Sequence, residues 1–226
     1  MGDPAEAILS GRVLVEGRIV TNPRSLVKTE ASVTLSGERI LRGELKLKAA
    51  LETFAVDPSG RVVLDAGAST GGFTKALLTA GARKVYAVDA GHGQLLGSLR
   101  QDPRVVNLEN TNIGALDRTL IPDTLDLVTL DLSYVSLAEA AAQLQGLRFS
   151  HSAQAIALVK PMFELGLPSA PADPDSLDRA TALATTGLER AGWKVLGSID
   201  SPITGARGAQ ERFIHAISRI RAGRQA

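Results

Sequence analysis

From Arg61 to Ser218 the chain alternates short apolar runs with helical stretches, and this alternation constrains its fold more than any other feature. The apolar runs are "RVVLDAG", "KVYAVDA", "RVVNLEN", "LDLVTLDL", "QAIALVK", "WKVLGSID" and "ERFIHAIS". They are rich in Val, Ile and Leu, as strands buried on both faces are. Between them lie "GGFTKALLTAGA", "GQLLGSLRQD", "SLAEAAAQLQGL" and "SLDRATALATTGLERAG", several of which stop at glycine. This order predicts an α/β fold, with a mostly parallel seven-stranded sheet covered by helices on both faces. The join "SPITGARGAQ" before the last run is short and carries Gly205 and Gly208. A hairpin there puts one antiparallel strand into the sheet.

Residues 1–60 read differently. "AEAIL" is a helix end, "GRVLVEGRIV" a small hairpin turning at Gly17, and "NPRSLVKTEASVTL" a turn and a further strand. "SGERILRG" reads as a linker. "GELKLKAALETF", with Leu45, Leu51 and Phe54 at helical spacing, is a helix leading into the sheet. The expected units are a small α+β module over 1–38, a linker and leading helix over 39–60, and the main domain over 61–226.

Composition removes several chemistries. The chain has no cysteine, so thiol nucleophiles, disulfides, iron–sulfur clusters and cysteine–zinc sites are excluded. Its three histidines, His92, His151 and His215, have no paired spacing, and no metal site is expected. The net charge of +1 announces no nucleic-acid binder by itself, and the only basic cluster is Arg219, Arg221 and Arg224 in the tail, which reads as a solvated terminus. No apolar run approaches the roughly 20 residues of a membrane helix, and the first residues lack a signal-peptide pattern. The expectation is a cytoplasmic protein with no membrane partner.

The first strand of the main sheet runs into "LDAGASTGGFT". In open α/β sheets a ligand sits where strands end and helices begin. A dinucleotide site would show G-x-G-x-x-G around a pyrophosphate. Here the order is Gly67-Ala68-Ser69-Thr70-Gly71-Gly72, followed by Phe73, with Asp65 two residues before the first glycine. A carboxylate there repels phosphate and suits a cationic ligand. S-adenosylmethionine (SAM) carries an ammonium and a sulfonium and no phosphate. Asp89, at the end of the second strand, is placed to bind the two ribose hydroxyls of an adenosine.

Methylation at pyrimidine carbon 5 and radical methylation both need cysteine, which the chain lacks. Amino-group methylases of bases carry an Asn/Asp-Pro-Pro-aromatic tetrad after the fourth strand, where this chain reads "LDLSYVS". Taken in order, "LDAGASTGGFTKALL", "VYAVDAGHGQL", "LRQDPRVVNLENTNI", "LDLSYVSL", "LVKPMFELG", "GWKV" and "SPITGARGAQE" resemble the TlyA (hemolysin A) family of FtsJ-like ribose 2′-O-methyltransferases, over about residues 5–218. The resemblance implies a Rossmann-like SAM-dependent methyltransferase acting on ribosomal RNA or a ribosomal subunit. It also implies an N-terminal module like the alpha-L RNA-binding motif, shortened here, since only "AEAILSGRVLVEG" stands where two helices begin the motif.

The family's Lys-Asp-Lys-Glu set falls by motif on Lys46, Asp131, Lys160 and Glu211. The implied cofactor contacts are Asp65, the run from Gly67 to Phe73, Asp89, Asn112 and Asp131. A ribose 2′-hydroxyl is a poor nucleophile until its proton is withdrawn. A lysine serves as base when its pKa falls from about 10.4 towards neutrality, through burial or a second lysine. Lys160 is the expected base, Asp131 its orienter, and Lys46 with Glu211 a framing pair. One departure bears on substrate choice: after "KPMFELG" the loop is the proline-rich "LPSAPADPDS", where relatives carry a glycine-rich stretch. The alternatives are a SAM-dependent methyltransferase of another substrate and a nucleotide-binding Rossmann protein such as an NAD-dependent oxidoreductase. The hemolysin name raises membrane lysis, which no amphipathic segment supports.

Overall fold

The computed structural model describes residues 3–35, 41–171, 173, 175–205 and 208–219. Residues 36–40 of the expected linker, Ala206 and Arg207 of the last join, and Arg221 and Arg224 of the tail lie outside them.

The N-terminal part begins with helix α1 (Pro4–Leu9). The Asp3 carboxylate accepts from Ala5 N at 2.9 Å, and Pro4 supplies a preset φ at the first position. Strands β1 (Val13–Val15), β2 (Arg18–Ile19) and β3 (Val33–Leu35) form an antiparallel sheet in the order β2-β1-β3. Helix α2 (Arg42–Thr53) follows. Its buried face is Lys46, Leu47, Ala50 and Leu51, while Leu45 is 42% exposed. The expected helix is present, but its inward face is turned from the Leu45 register, because Lys46 points inward to a charged partner.

The main sheet contains β4 (Val62–Ala66), β5 (Lys84–Asp89), β6 (Val105–Glu109), β7 (Leu125–Leu130), β8 (Phe149–Val159), β9 (Trp193–Asp200) and β10 (Arg212–Ser218). Helices α3 (Gly72–Thr79), α4 (Gly97–Arg100), α5 (Leu137–Gln143), α6 (Pro161–Glu164) and α7 (Asp175–Arg190) connect them. The strand order is β6-β5-β4-β7-β8-β10-β9. β10 pairs antiparallel with both β8 and β9, while the pairings among β4 to β8 are parallel. The seven strands and the single antiparallel one agree with the sequence expectation.

Alternating β4 side chains serve two cores. Val62, Leu64 and Ala66 join the cluster under α5 and α7, and Val63 joins the cluster under α2 and α3. The chain leaves β4 towards β5 and β6 on one side and returns to start β7 on the other. β4 and β7 therefore flank the topological switch point, where open α/β sheets hold their ligands. The expected helix "GQLLGSLRQD" shrinks to Gly97–Arg100. The Glu109 carboxylate accepts the N–H groups of Gln94 and Leu95 at 2.6 and 3.0 Å, so this stretch is an open loop and not a helical turn. No described helix is long and apolar enough to cross a membrane.

Candidate active site

The glycine-rich loop leaves β4 at the switch point. Gly67 N and Ala68 N both donate to Val88 O, at 2.9 and 3.0 Å, and Asp131 N donates to Ala66 O at 2.9 Å. Gly67 has φ +88°, and a Cβ there would collide with the Asp131 carbonyl oxygen. Only glycine fits both the conformation and the space. Ser69 also has positive φ, at 47°, and with Thr70 it is exposed at the loop's crest. No side chain caps the start of α3. Leu95 and Leu99 pack against Gly71, and Ser69 Oγ donates to Gln94 Oε1 at 3.1 Å, so the 94–99 segment walls the loop on one side.

Asp65 lies beneath that loop and not on its surface. It is fully buried, and its oxygens accept from Thr74 Oγ1 at 2.6 Å and Thr129 Oγ1 at 2.8 Å. Burial pushes its carboxyl up to about 6. Its direct role is to pin β4, β7 and α3 together under the loop. Asp89, at the end of β5, accepts from Ser69 N at 2.8 Å and Gly91 N at 2.7 Å. It fixes the crest from the side. Asn112 is exposed beyond β6 and caps the short turn Ile113–Ala115 through Gly114 N at 3.0 Å. Gly72 and Phe73 are buried; Phe73 packs on Phe213, with ring centroids 6.1 Å apart.

The four charged residues meet at the same edge of the sheet as two pairs. β8 and β10 are in antiparallel register with Val159 opposite Arg212, which brings Lys160 and Glu211 to neighbouring chain ends. Lys46 Nζ reaches from α2 to Glu211 Oε2 at 2.5 Å, and both residues are buried, although 165 positions separate them. Lys160 Nζ lies 2.6 Å from Asp131 Oδ1 and donates to Ser133 Oγ at 2.7 Å. The contact with Asp131 is an ion pair without hydrogen-bond alignment, so a buried Asp131 Oδ1 still lacks an aligned donor. Arg42, one turn before Lys46, donates to Thr204 O at 2.7 Å and ties the 201–205 segment to α2. Gly205 has no room for a side chain because Glu211 Oε1 occupies it.

Ser133, Glu109 and Arg42 were not candidates on sequence grounds. Ser133 is the third residue of "DLSYVS", and its place beside Asp131 was the available signal. Glu109 holds the N–H groups of Gln94 and Leu95, and Arg42 holds the Thr204 carbonyl, and such backbone contacts leave no mark in side-chain patterns. A groove of about 660 Å³ lies between α2 and α3 around Leu51, Val56, Ala76 and Ala80. It touches none of the four charged residues.

Residues 40–218 match the model of the FtsJ-like methyltransferases. The chain belongs to that family. The methyltransferase is 42% identical over 219 residues to the 16S/23S rRNA (cytidine-2′-O)-methyltransferase TlyA of Mycobacterium tuberculosis, covering 93% of this chain and 81% of that protein. It is 33% identical over 224 residues to Hemolysin A of Brachyspira hyodysenteriae, covering 94% and 91%. A solved protein of Streptococcus thermophilus, named as a hemolysin, superposes with a TM-score of 0.75 at 30% identity, covering 95% of this methyltransferase and 81% of that chain. The TlyA resemblance read from the motifs therefore holds over nearly the whole chain.

Proposed function

We propose that this methyltransferase transfers a methyl group from SAM to a ribose 2′-hydroxyl of ribosomal RNA, in the cytoplasm. The observation that carries this reading is the meeting of Lys160, Asp131, Lys46 and Glu211 beside the glycine cradle at the switch point. The rRNA 2′-O-methyltransferase name of the Mycobacterium relative supports the substrate.

The cradle fits the cofactor on its own features. Gly67 lets the loop pack directly on the Asp131 carbonyl, no side chain caps α3, and Asp89 ends β5 beside the loop, bonded to Ser69 N. The loop from Gly67 to Gly71 would hold the amino-acid end and Asp89 the ribose. Asn112 lines the adenine side, and Asp65 supports the loop from below. When bound, SAM supplies a methyl carbon on a sulfonium, whose neutral thioether is a good leaving group without a metal.

The remaining work falls to side chains of the chain. Asp131, with Oδ1 2.6 Å from Lys160 Nζ, orients the lysine and neighbours the methyl donor. Lys160 is the base of this reading: once Nζ has released a proton to solvent, it takes the 2′-hydroxyl proton as the oxygen–carbon bond forms. Ser133 Oγ also holds Nζ, accepting from it at 2.7 Å. Lys46 and Glu211 neutralise each other and fix the wall opposite. Positioning of this kind supplies much of the rate in a displacement at carbon. Exposed Arg18, Arg24 and Lys28 on the N-terminal sheet module suit it to the RNA backbone. The test is methylation of rRNA with labelled SAM followed by nuclease digestion. Label on ribose supports the reading, and label on base or none contradicts it.

A further inference from the structure

The motif "VKPMFE" ends on Glu164, a residue that the proposed chemistry does not use. Its placement is costly. Burial, with the negative charge of Glu139 adding to it, pushes the carboxyl up to about 7. Its Oε1 accepts from Leu137 N at 2.8 Å. Leu137 is the first residue of α5, and the capping box of Ser136 and Glu139 engages the N–H groups of those two residues but not that of Leu137. Water alone would satisfy one helix-end N–H without desolvating an acid. The acid must therefore do something that water does not.

Glu164 closes a ring. Asp131 and Ser133 precede α5 on one segment, and Lys160 begins α6 on the other. Phe163 N and Glu164 N both donate to Lys160 O, at 3.0 and 3.2 Å, so α6 grows rigidly from the lysine. At one end of the ring Lys160 meets Asp131 and Ser133; at the other Glu164 meets Leu137. Leu137 is itself fixed in the core. We propose that Glu164 is a positioning residue that sets the register of Lys160 against Asp131 and Ser133 by bonding α6 to the first N–H of α5. It rests on the methyl-transfer reading for its consequence, but not for its geometry.

Glu164→Gln keeps an acceptor oxygen for Leu137 N, and Glu164→Ala removes it. Glu164→Leu removes the acceptor while filling the volume, and replaces the alanine variant if that one fails to fold. Two readouts are taken on the full chain. One is the NMR signal of Lys160 in protein carrying 13Cε-lysine, assigned by its loss in Lys160→Arg. The other is kcat and KM for methylation of rRNA. The expected result is a displaced Lys160 signal and kcat lowered about 10- to 100-fold in Glu164→Ala, the cost of a misplacement near 1 Å, with KM for SAM unchanged. Glu164→Gln should restore both readouts to near wild type. An unmoved Lys160 signal in the alanine and leucine variants overturns the proposal. A displaced signal in a protein that labels no ribose would uphold the positioning and sink the methyl-transfer reading.

Discussion

Gly43 and Gly72 meet back to back where α2 crosses the start of α3: a Cβ on Gly72 would lie 2.9 Å from the Gly43 Cα. Lys46 stands one turn beyond Gly43, and the glycine-rich loop ends at Gly72. The contact therefore couples the lysine-bearing helix to the cradle. Alanine is normally better than glycine inside a helix by about 1 kcal/mol, so replacement there should stabilise if sequence propensity alone ruled. Gly72→Ala is expected to lower the melting temperature and to weaken SAM binding together. A more stable variant with unchanged SAM affinity would show that the crossing does not govern the cradle.

The Lys46–Glu211 pair is buried at both ends. Removing one partner strands the other's charge, at a cost of roughly 3–5 kcal/mol, while apolar replacement of both is often neutral. Lys46→Met alone should therefore destabilise strongly in urea unfolding. Lys46→Met with Glu211→Leu should regain most of that stability yet remain inactive. Recovery of activity in the double variant would remove the pair from the chemistry.

Asp65 carries a pH signature. Its carboxyl is raised from 3.8 to about 6 in the folded protein, by burial first. The folded state then holds the proton more tightly than the unfolded chain. The associated stability is full below pH 4 and is lost as pH rises through 6, by about 3 kcal/mol across that window. Glu164, raised to about 7, acts in the same direction at slightly higher pH. Asp65→Asn should flatten the fall between pH 4 and 6 and leave the Glu164 part. Parallel stability curves for the two proteins across that range would show that Asp65 does not titrate as described.

The fold is legible in the sequence, and so is the pairing of the charged residues in the candidate site. Strand-rich runs and glycine stops give the sheet because buried parallel strands need continuous apolar side chains, and the motif order brings Lys46, Asp131, Lys160 and Glu211 into one set. Asp65 shows the limit of such reading. Its spacing from Gly67 makes it look like a ligand contact, but β4 alternates faces, and the pleat turns its side chain down onto Thr74 and Thr129. Leu45 shows another limit: helical spacing fixes a stripe but not which of two adjacent stripes faces inward, and the buried ion pair of Lys46 decides it. Contacts made through backbone groups, such as Arg42 with Thr204 O or Glu109 with Gln94 N, have no side-chain partner to read.

The central claim is that Lys160 serves the transfer and not the binding of SAM. Wild type and Lys160→Ala should each be incubated with labelled SAM and ribosomal subunits, the rRNA digested and the label mapped, with SAM affinity measured alongside. The account predicts ribose-borne label with wild type, none with Lys160→Ala, and SAM affinities within about threefold of each other, a difference below about 1 kcal/mol. Ribose methylation that persists in Lys160→Ala would contradict it.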